Sequence, residues 1–231
     1  MQPAILLTGA SGRLGQLLLP ALVERAPAGA AVFATWRHRA PATQPFGARV
    51  AWMRFDLAHP TAILNLLDPA LPLAVLHFAS TISNEMGPVL RLDCYGTETL
   101  VKALKARSGP AWFVFASSID AELGHPYGIG KAYLESSLAA AADERFRPLS
   151  VRIPAIEAEH LERWHLAAGD FPSRFLDVIR YESAIESLGR GRLPDGPDGP
   201  VYLVPETRGI RLERLQKRSR DAEPSIHART S

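Results

Sequence analysis

Along the first 155 residues, short apolar runs alternate with longer stretches in which apolar positions recur every three or four residues. The first run, beginning ILLTG at Ile5, reads as a short strand buried on both faces. After a glycine turn, Leu14, Leu17, Leu18, Ala21 and Leu22 fall at spacings that turn one face of a helix inward. Pro20 interrupts that helix, so a kink or a lost hydrogen bond is expected. Further strands are expected at Ala31 to Thr35, Val50 to Phe55, Leu73 to Phe78 and Trp112 to Ala116. Helices are expected over Pro60 to Leu67 and from about Val89 to Ala106, the latter with Leu92, Gly96, Leu100, Val101 and Leu104 inward. VYLVP, Val201 to Pro205, reads as the last strand. Strands and helices in alternation imply right-handed crossovers and an α/β fold with a Rossmann-type, doubly wound parallel sheet.

Ligands of such sheets lie beyond the carboxyl ends of the strands, where Gly9, Arg37, Asp56, Ala79 and Ser118 all fall. The turn TGASGRLG, Thr8 to Gly15, has the composition of a dinucleotide grip. Gly9 can take a backbone conformation closed to other residues, Gly12 lets the main chain approach a pyrophosphate, and Gly15 lets the helix pack closely on the sheet. The helix start then faces the phosphates, and Thr8 and Ser11 could add hydroxyl donors. The GxxGxxG spacing alone is a weak signal, because glycine turns between strand and helix are common.

At the end of the second strand, an acidic residue would select the ribose of NAD, whereas arginine accommodates the 2′-phosphate of NADP. Trp36 and Arg37 stand there, so NADP is favoured and NAD remains possible; Arg13 could assist. The alternative for Arg37 and Arg39 is a solvated loop. Asp56 either accepts from an adenine amino group or caps the helix that follows it. His77 reads as a packed core histidine, since no second ligand lies at metal-site spacing, and no metal is expected.

Tyr127 and Lys131, in YGIGK, are four apart at the start of a helix and share a face. A free phenol has a pKa of about 10, so passing a proton at neutral pH calls for a cation that stabilises the phenolate, and Lys131 is placed to be that cation. Ser118, at a strand end, could hold a substrate oxygen as charge develops on it.

Six motifs occur together in one order: TGASGRLG, then DL (Asp56 and Leu57), HFAS (His77 to Ser80), YGTETL (Tyr95 to Leu100), FASS (Phe115 to Ser118) and YGIGK. With them the chain resembles the extended short-chain dehydrogenase/reductase, or NAD-dependent epimerase/dehydratase, family from roughly Ile5 to Pro154. The TWRHR pattern resembles its dTDP-dehydrorhamnose reductase-like members, which reduce 4-keto sugar nucleotides with NADPH. The resemblance implies a catalytic set of Ser118, Tyr127 and Lys131: Tyr127 as acid/base, Lys131 lowering its pKa and holding the nicotinamide ribose, and Ser118 orienting the carbonyl, with Ser117 as fallback. It implies that Gly9, Ser11, Gly12, Arg13, Leu14, Gly15, Arg37, Asp56, Leu57, Phe78, Ala79, Ser80 and Lys131 hold the cofactor. Leu149 to Pro154 resembles the sixth strand, and RFLDV, Arg174 to Val178, a segment that returns to the core. Asp93 departs from the Asn common before YGT, and eight residues between Ser118 and Tyr127 leave little room for a substrate loop. Family members often pair through two long helices, so a homodimer is possible.

The expected activity is therefore an NADPH-dependent reduction of a ketone on a sugar-nucleotide-like or other small carbonyl substrate. The competing class is a cofactor-binding sensor or regulatory subunit without turnover. At 231 residues and 25.2 kDa the chain suits one core with an appendage. We divide it into a Rossmann part at 1–154, a short substrate part at 155–210 and a basic tail at 211–231. The formal net charge is +2, but Arg208 to Ser231 holds seven Lys or Arg against three Asp or Glu, so the basic character belongs to the tail. With no interleaved aromatic residue, that tail reads as solvated and unstructured past a helical start at Leu212 and Leu215, rather than as a nucleic-acid arm. The single cysteine, Cys94, fits a reducing cytoplasm, and neither a signal peptide nor a membrane span is expected.

Overall fold

Seven parallel strands lie side by side in the order β3-β2-β1-β4-β5-β6-β7. They are β1 (Ala4–Thr8), β2 (Ala31–Trp36), β3 (Val50–Arg54), β4 (Leu73–His77), β5 (Ala111–Ser118), β6 (Phe146–Ile153) and β7 (Val201–Tyr202). This computed structural model describes residues 2–41, 46–156, 169–196 and 199–203. Residues 204–231, including the end of the expected last strand and the basic tail, lie outside the described residues, as do 157–168. The order reverses between β1 and β4, where β1 pairs with β2 on one side and β4 on the other. A crevice at that reversal is where such sheets take their ligands.

Helices cover both faces of the sheet, which is why its strands are almost wholly apolar. On one face, Ile5, Leu7, Val32, Ala34 and Leu76 pack with α1 (Arg13–Arg25), α5 (Phe171–Val178) and α6 (Tyr181–Gly189). On the other, Leu6, Val75, Phe113 and Phe115 pack with α3 (Tyr95–Lys105) and α4 (Pro126–Ala141). Pro20 sits on the exposed side of α1 and the helix runs through it, at the cost of the hydrogen bond its N–H would have made along the helix. Phe175 of α5 meets Phe78 edge-on at 5.6 Å, so the RFLDV segment does return to the core. Among the described residues no helix is long and apolar enough to cross a membrane.

Two expected helices differ from the sequence reading. Pro60 to Leu67 forms only a 3-10 turn over Leu64–Leu66. The N–H groups of Ala62, Leu64, Leu66 and Leu67 bond the carbonyls three residues back, those of His59, Thr61, Ile63 and Leu64, so the segment is tied as successive tight turns rather than as an α-helix. Ile63, Leu64 and Leu67 are nevertheless buried, as their periodicity suggested. The helix from Val89 contains a π-helical stretch, Val89–Cys94, preceded by the single turn α2 (Met86–Pro88). The wider turn moves the inward set along the chain, so Val89, Asp93 and Cys94 are buried while Leu92 is only half-buried.

Candidate functional site

The turn after β1 is built around Gly9, whose φ of +72° favours glycine. A Cβ there would stand 2.7 Å from the main chain of both Phe78 and Ala79. Thr35 at the end of β2 ties the turn down: its Oγ1 accepts from Gly9 N at 3.0 Å and its carbonyl from Ser11 N at 3.1 Å. The sequence reading missed Thr35, although it is the one polar residue before Trp36 in the β2 run AVFATW. Gly15 differs from expectation as well. A Cβ on it would lie 2.4 Å from Gly9 O, so it seats α1 against the turn rather than the sheet and does not line the cleft. Thr8 does not face the phosphate side either. Its buried hydroxyl accepts from Phe78 N at 3.2 Å and bonds His77 Nδ1 at 2.8 Å.

Above these strand ends lies a cleft of about 730 Å³. Gly9, Ser11, Gly12, Arg13, Leu14 and Arg37 line its wall near β1 and β2. Leu57, Phe78, Ala79 and Ser80 continue it, and Ser118, Tyr127 and Lys131 close the β5 side. No side chain caps the start of α1, and its first turn holds no acidic residue. Asp56 is the second expected cofactor residue outside the lining. Its carboxylate is held by the Ala58 N–H and lies 3.5 Å from Arg37 Nε, which together keep it below the usual carboxylate range. With no helix after it, Asp56 caps none. Ile82, Asp120 and the 153–156 segment also line the cleft and were not singled out from the sequence, and Ile119 lines it beside them.

The reacting groups come from β5 and α4. His125 caps α4, its Nδ1 accepting from Gly128 N at 3.2 Å, and its ring stacks parallel to that of Tyr127. A Cβ at Gly128 would run into Asp120 O at 2.1 Å, so this residue lets the helix start press on the 3-10 turn Ile119–Glu122. One turn further on, buried Lys131 donates from Nζ to Ala116 O at 2.8 Å and lies 5.3 Å from the centre of the Tyr127 ring. Ser118 Oγ accepts from Asp120 N at 3.1 Å, and Ser118 is near enough to the Tyr127 phenol to favour its ionised form. Ser117 points elsewhere, donating to Glu135 Oε1 at 2.5 Å, so it does not stand in for Ser118.

Burial pushes the Tyr127 phenol up to about 12, with the charges of Asp120 and Asp93 adding to the rise and Ser118 opposing it. Burial also brings the Lys131 ammonium down to about 8, against the pull of Asp93, Cys94 and Glu135. The phenol therefore stands above its ordinary value in this geometry, not below it as expected from Lys131. Burial pushes His77 down to about 3, with Lys131 contributing. Its neutral ring fits between Thr8 on Nδ1 and Thr97 on Nε2, the latter at 3.1 Å, as a satisfied core histidine. Asp93, turned inward by the π-helical stretch, accepts from Ser80 Oγ at 2.9 Å, Thr81 N at 2.8 Å and Thr81 Oγ1 at 3.1 Å. It thereby holds the loop that brings Ser80 and Ile82 to the cleft.

The chain matches the family model described as the NAD dependent epimerase/dehydratase family over residues 5–192. It is similar in structure to a putative epimerase from Burkholderia cenocepacia J2315, with a TM-score of 0.64 and 18% identity over 90% of this chain and 77% of that one. It is also similar to a 3-oxoacyl-(acyl-carrier protein) reductase from Brucella melitensis in complex with NAD, at TM-score 0.59 and 18% identity over 88% and 96% of the two chains. A nucleoside-diphosphate-sugar epimerase from Agrobacterium tumefaciens matches at TM-score 0.55 and 22% identity, over 67% of this chain and 54% of that one. The chain thus spans about half the length of that epimerase. These identities carry a likeness of fold. A search of curated proteins returned no match. With the family match running through most of its length, the chain belongs to the NAD-dependent epimerase/dehydratase family, whose members bind a nicotinamide dinucleotide.

Proposed function

We propose that the protein is an NADPH-dependent oxidoreductase that reduces the ketone of a small carbonyl or sugar-nucleotide-like substrate. One observation carries this reading: the Tyr127 phenol, the Ser118 hydroxyl and the Lys131 ammonium converge in the same cleft as the uncapped start of α1. The residues present fit a dinucleotide. The turn at Gly9 to Gly12 leaves main chain open to a pyrophosphate, and Arg37 offers a guanidinium to a 2′-phosphate where an acidic residue would select the bare ribose. Phe78 and Ala79 line the path between that end and the reacting groups.

A reduced nicotinamide bound there supplies hydride to the carbonyl carbon. Ser118 donates a hydrogen bond to the carbonyl oxygen, orienting it and stabilising the charge that develops. Tyr127 gives its proton to that oxygen, and the charge of Lys131 steadies the phenolate left behind. A phenol kept protonated by burial suits a proton donor, and so favours carbonyl reduction. Ile82, Ile119 and Ile153 give the β5 end of the cleft an apolar wall that suits a compact substrate. The test is a titration with NADPH and NADH followed by tryptophan fluorescence, then NADPH oxidation against a panel of ketones and aldehydes. Tighter NADPH binding with carbonyl-dependent oxidation supports the reading. Binding with no oxidation across the panel would instead indicate a cofactor-binding sensor.

A further inference from the structure

Beneath the reacting groups lies a connected set of polar side chains that the chemistry above leaves unused. Glu135 stands one helical turn beyond Lys131 on α4 and is buried. Its Oε1 accepts from Ser117 Oγ at 2.5 Å and from Arg152 Nε at 2.8 Å, and its Oε2 from Arg152 Nη2 at 2.7 Å. Arg152 Nη1 reaches further, to Glu122 Oε1 at 2.8 Å. Ser117 and Arg152 are themselves partners across the β5–β6 register.

The set therefore joins four elements, and a neighbour of each member forms part of the cleft. Ser118 follows Ser117, Ile119 and Asp120 precede Glu122 in its 3-10 turn, Ile153 follows Arg152, and Lys131 is one turn from Glu135. A bidentate guanidinium–carboxylate pair fixes rotation as well as distance, which a single hydrogen bond does not.

We propose that Arg152 and Glu135 are positioning residues that set how α4 stands against the ends of β5 and β6, holding Tyr127 against Ser118 and Lys131 against Ala116 O. The inference rests on the reading of Tyr127 and Lys131 as the reacting pair. Glu122 extends the same clamp to the turn that carries Asp120, so one network places the proton donor and one wall of the substrate end.

The experiment needs no substrate. Lysine labelled with carbon-13 at Cε gives four side-chain signals, and the Lys131 signal is the one lost in Lys131→Met. The charged and titratable groups around it are Asp93 and Cys94 from the π-helical stretch, Glu135 on its own helix, His77 from β4 and the Tyr127 phenol. Glu135→Gln removes a negative charge, which by itself would lower the Lys131 midpoint from its value near 8. Loosening α4 admits water and moves the midpoint the other way, towards the ordinary 10.5. The clamp predicts a rise of about one pH unit in Glu135→Gln, a rise in the charge-conserving Arg152→Lys, and a smaller one in Ser117→Ala. NADPH affinity by tryptophan fluorescence should stay within about threefold of wild type. A midpoint that falls or stays put in the variants that fold overturns the clamp; should Glu135→Gln fail to fold, Arg152→Lys and Ser117→Ala decide. Failure of the wild-type protein to bind NADPH would sink the proposed function instead, which the lysine titration reads separately.

Discussion

Lys131 Nζ donates to the main-chain carbonyl of Ala116 at 2.8 Å, two residues before Ser118 on the same strand. The bond fixes a buried ammonium at the end of β5, and burial has already brought its pKa down to about 8. Under the proposed mechanism the ammonium must be charged to steady the phenolate. Reduction should therefore be constant below about pH 8 and fall about tenfold per pH unit above it, as one proton is lost. A pH profile of kcat/KM on any substrate found checks this; a rate that rises through pH 8 would contradict it.

Tyr127→Phe keeps the ring and its stacking on His125 while removing the proton that the carbonyl oxygen receives. Turnover should fall by at least about a hundredfold. NADPH affinity should change little, because the substitution leaves the turn at Gly9 and Arg37 untouched. Parallel binding and turnover measurements separate the two effects.

Arg37→Ala should weaken NADPH by about ten- to a hundredfold and leave NADH nearly unchanged, since a charge-assisted contact to the 2′-phosphate is lost. Asp56, 3.5 Å from Arg37 Nε, competes for the same guanidinium. Asp56→Asn should therefore tighten NADPH binding modestly. Equal losses for both nicotinamides in Arg37→Ala would place the 2′-phosphate elsewhere.

His77 stays neutral in the fold down to about pH 3, whereas a free histidine takes up its proton near 6.5. Between those values the unfolded chain binds the extra proton, so stability is full above 6.5 and is lost as pH falls towards 3. The loss from this one group is about 1.4 kcal/mol per pH unit. Urea unfolding at pH 7 and pH 4.5 should show a steeper decline for wild type than for His77→Gln. Equal declines would show that His77 is not the group involved.

Gly9→Ala should destabilise the protein by about 1 to 3 kcal/mol or more, because the residue is held at φ +72° and its new Cβ would press on the main chain of Phe78 and Ala79. Gly12→Ala meets only Gly9 O at 3.1 Å, so it should cost less stability while still obstructing the pyrophosphate site. Thermal unfolding and NADPH titration of the two variants should therefore rank them in opposite orders.

Most of the sheet is legible in the amino-acid sequence because parallel strands covered on both faces are nearly uninterrupted apolar runs, as in AILLT and LAVLH. The turn at Gly9 and the Tyr127–Lys131 spacing are equally local: the first answers to a backbone conformation, the second to the pitch of one helix. What failed was the kind of helical turn. The periodicity of Pro60 to Leu67 correctly marks buried residues, yet the segment closes on hydrogen bonds three residues apart rather than the four of an α-helix. In the Val89 helix a π-helical stretch, absent from any spacing rule, puts Asp93 inside.

The amino-acid sequence by itself determined which residues make strands, where the chain must turn, and that a phenol and an ammonium share a helix face. Only the tertiary structure decided which hydroxyls and carboxylates reach the cleft. Thr8 turned towards His77, Asp56 towards its own loop and Arg37, and Ser117 towards Glu135, while Thr35 came to hold the turn. The reason is physical. Backbone conformation and burial are set by a few adjacent residues, but a buried polar group bonds whatever partner packing delivers, and those partners lie tens of residues away along the chain.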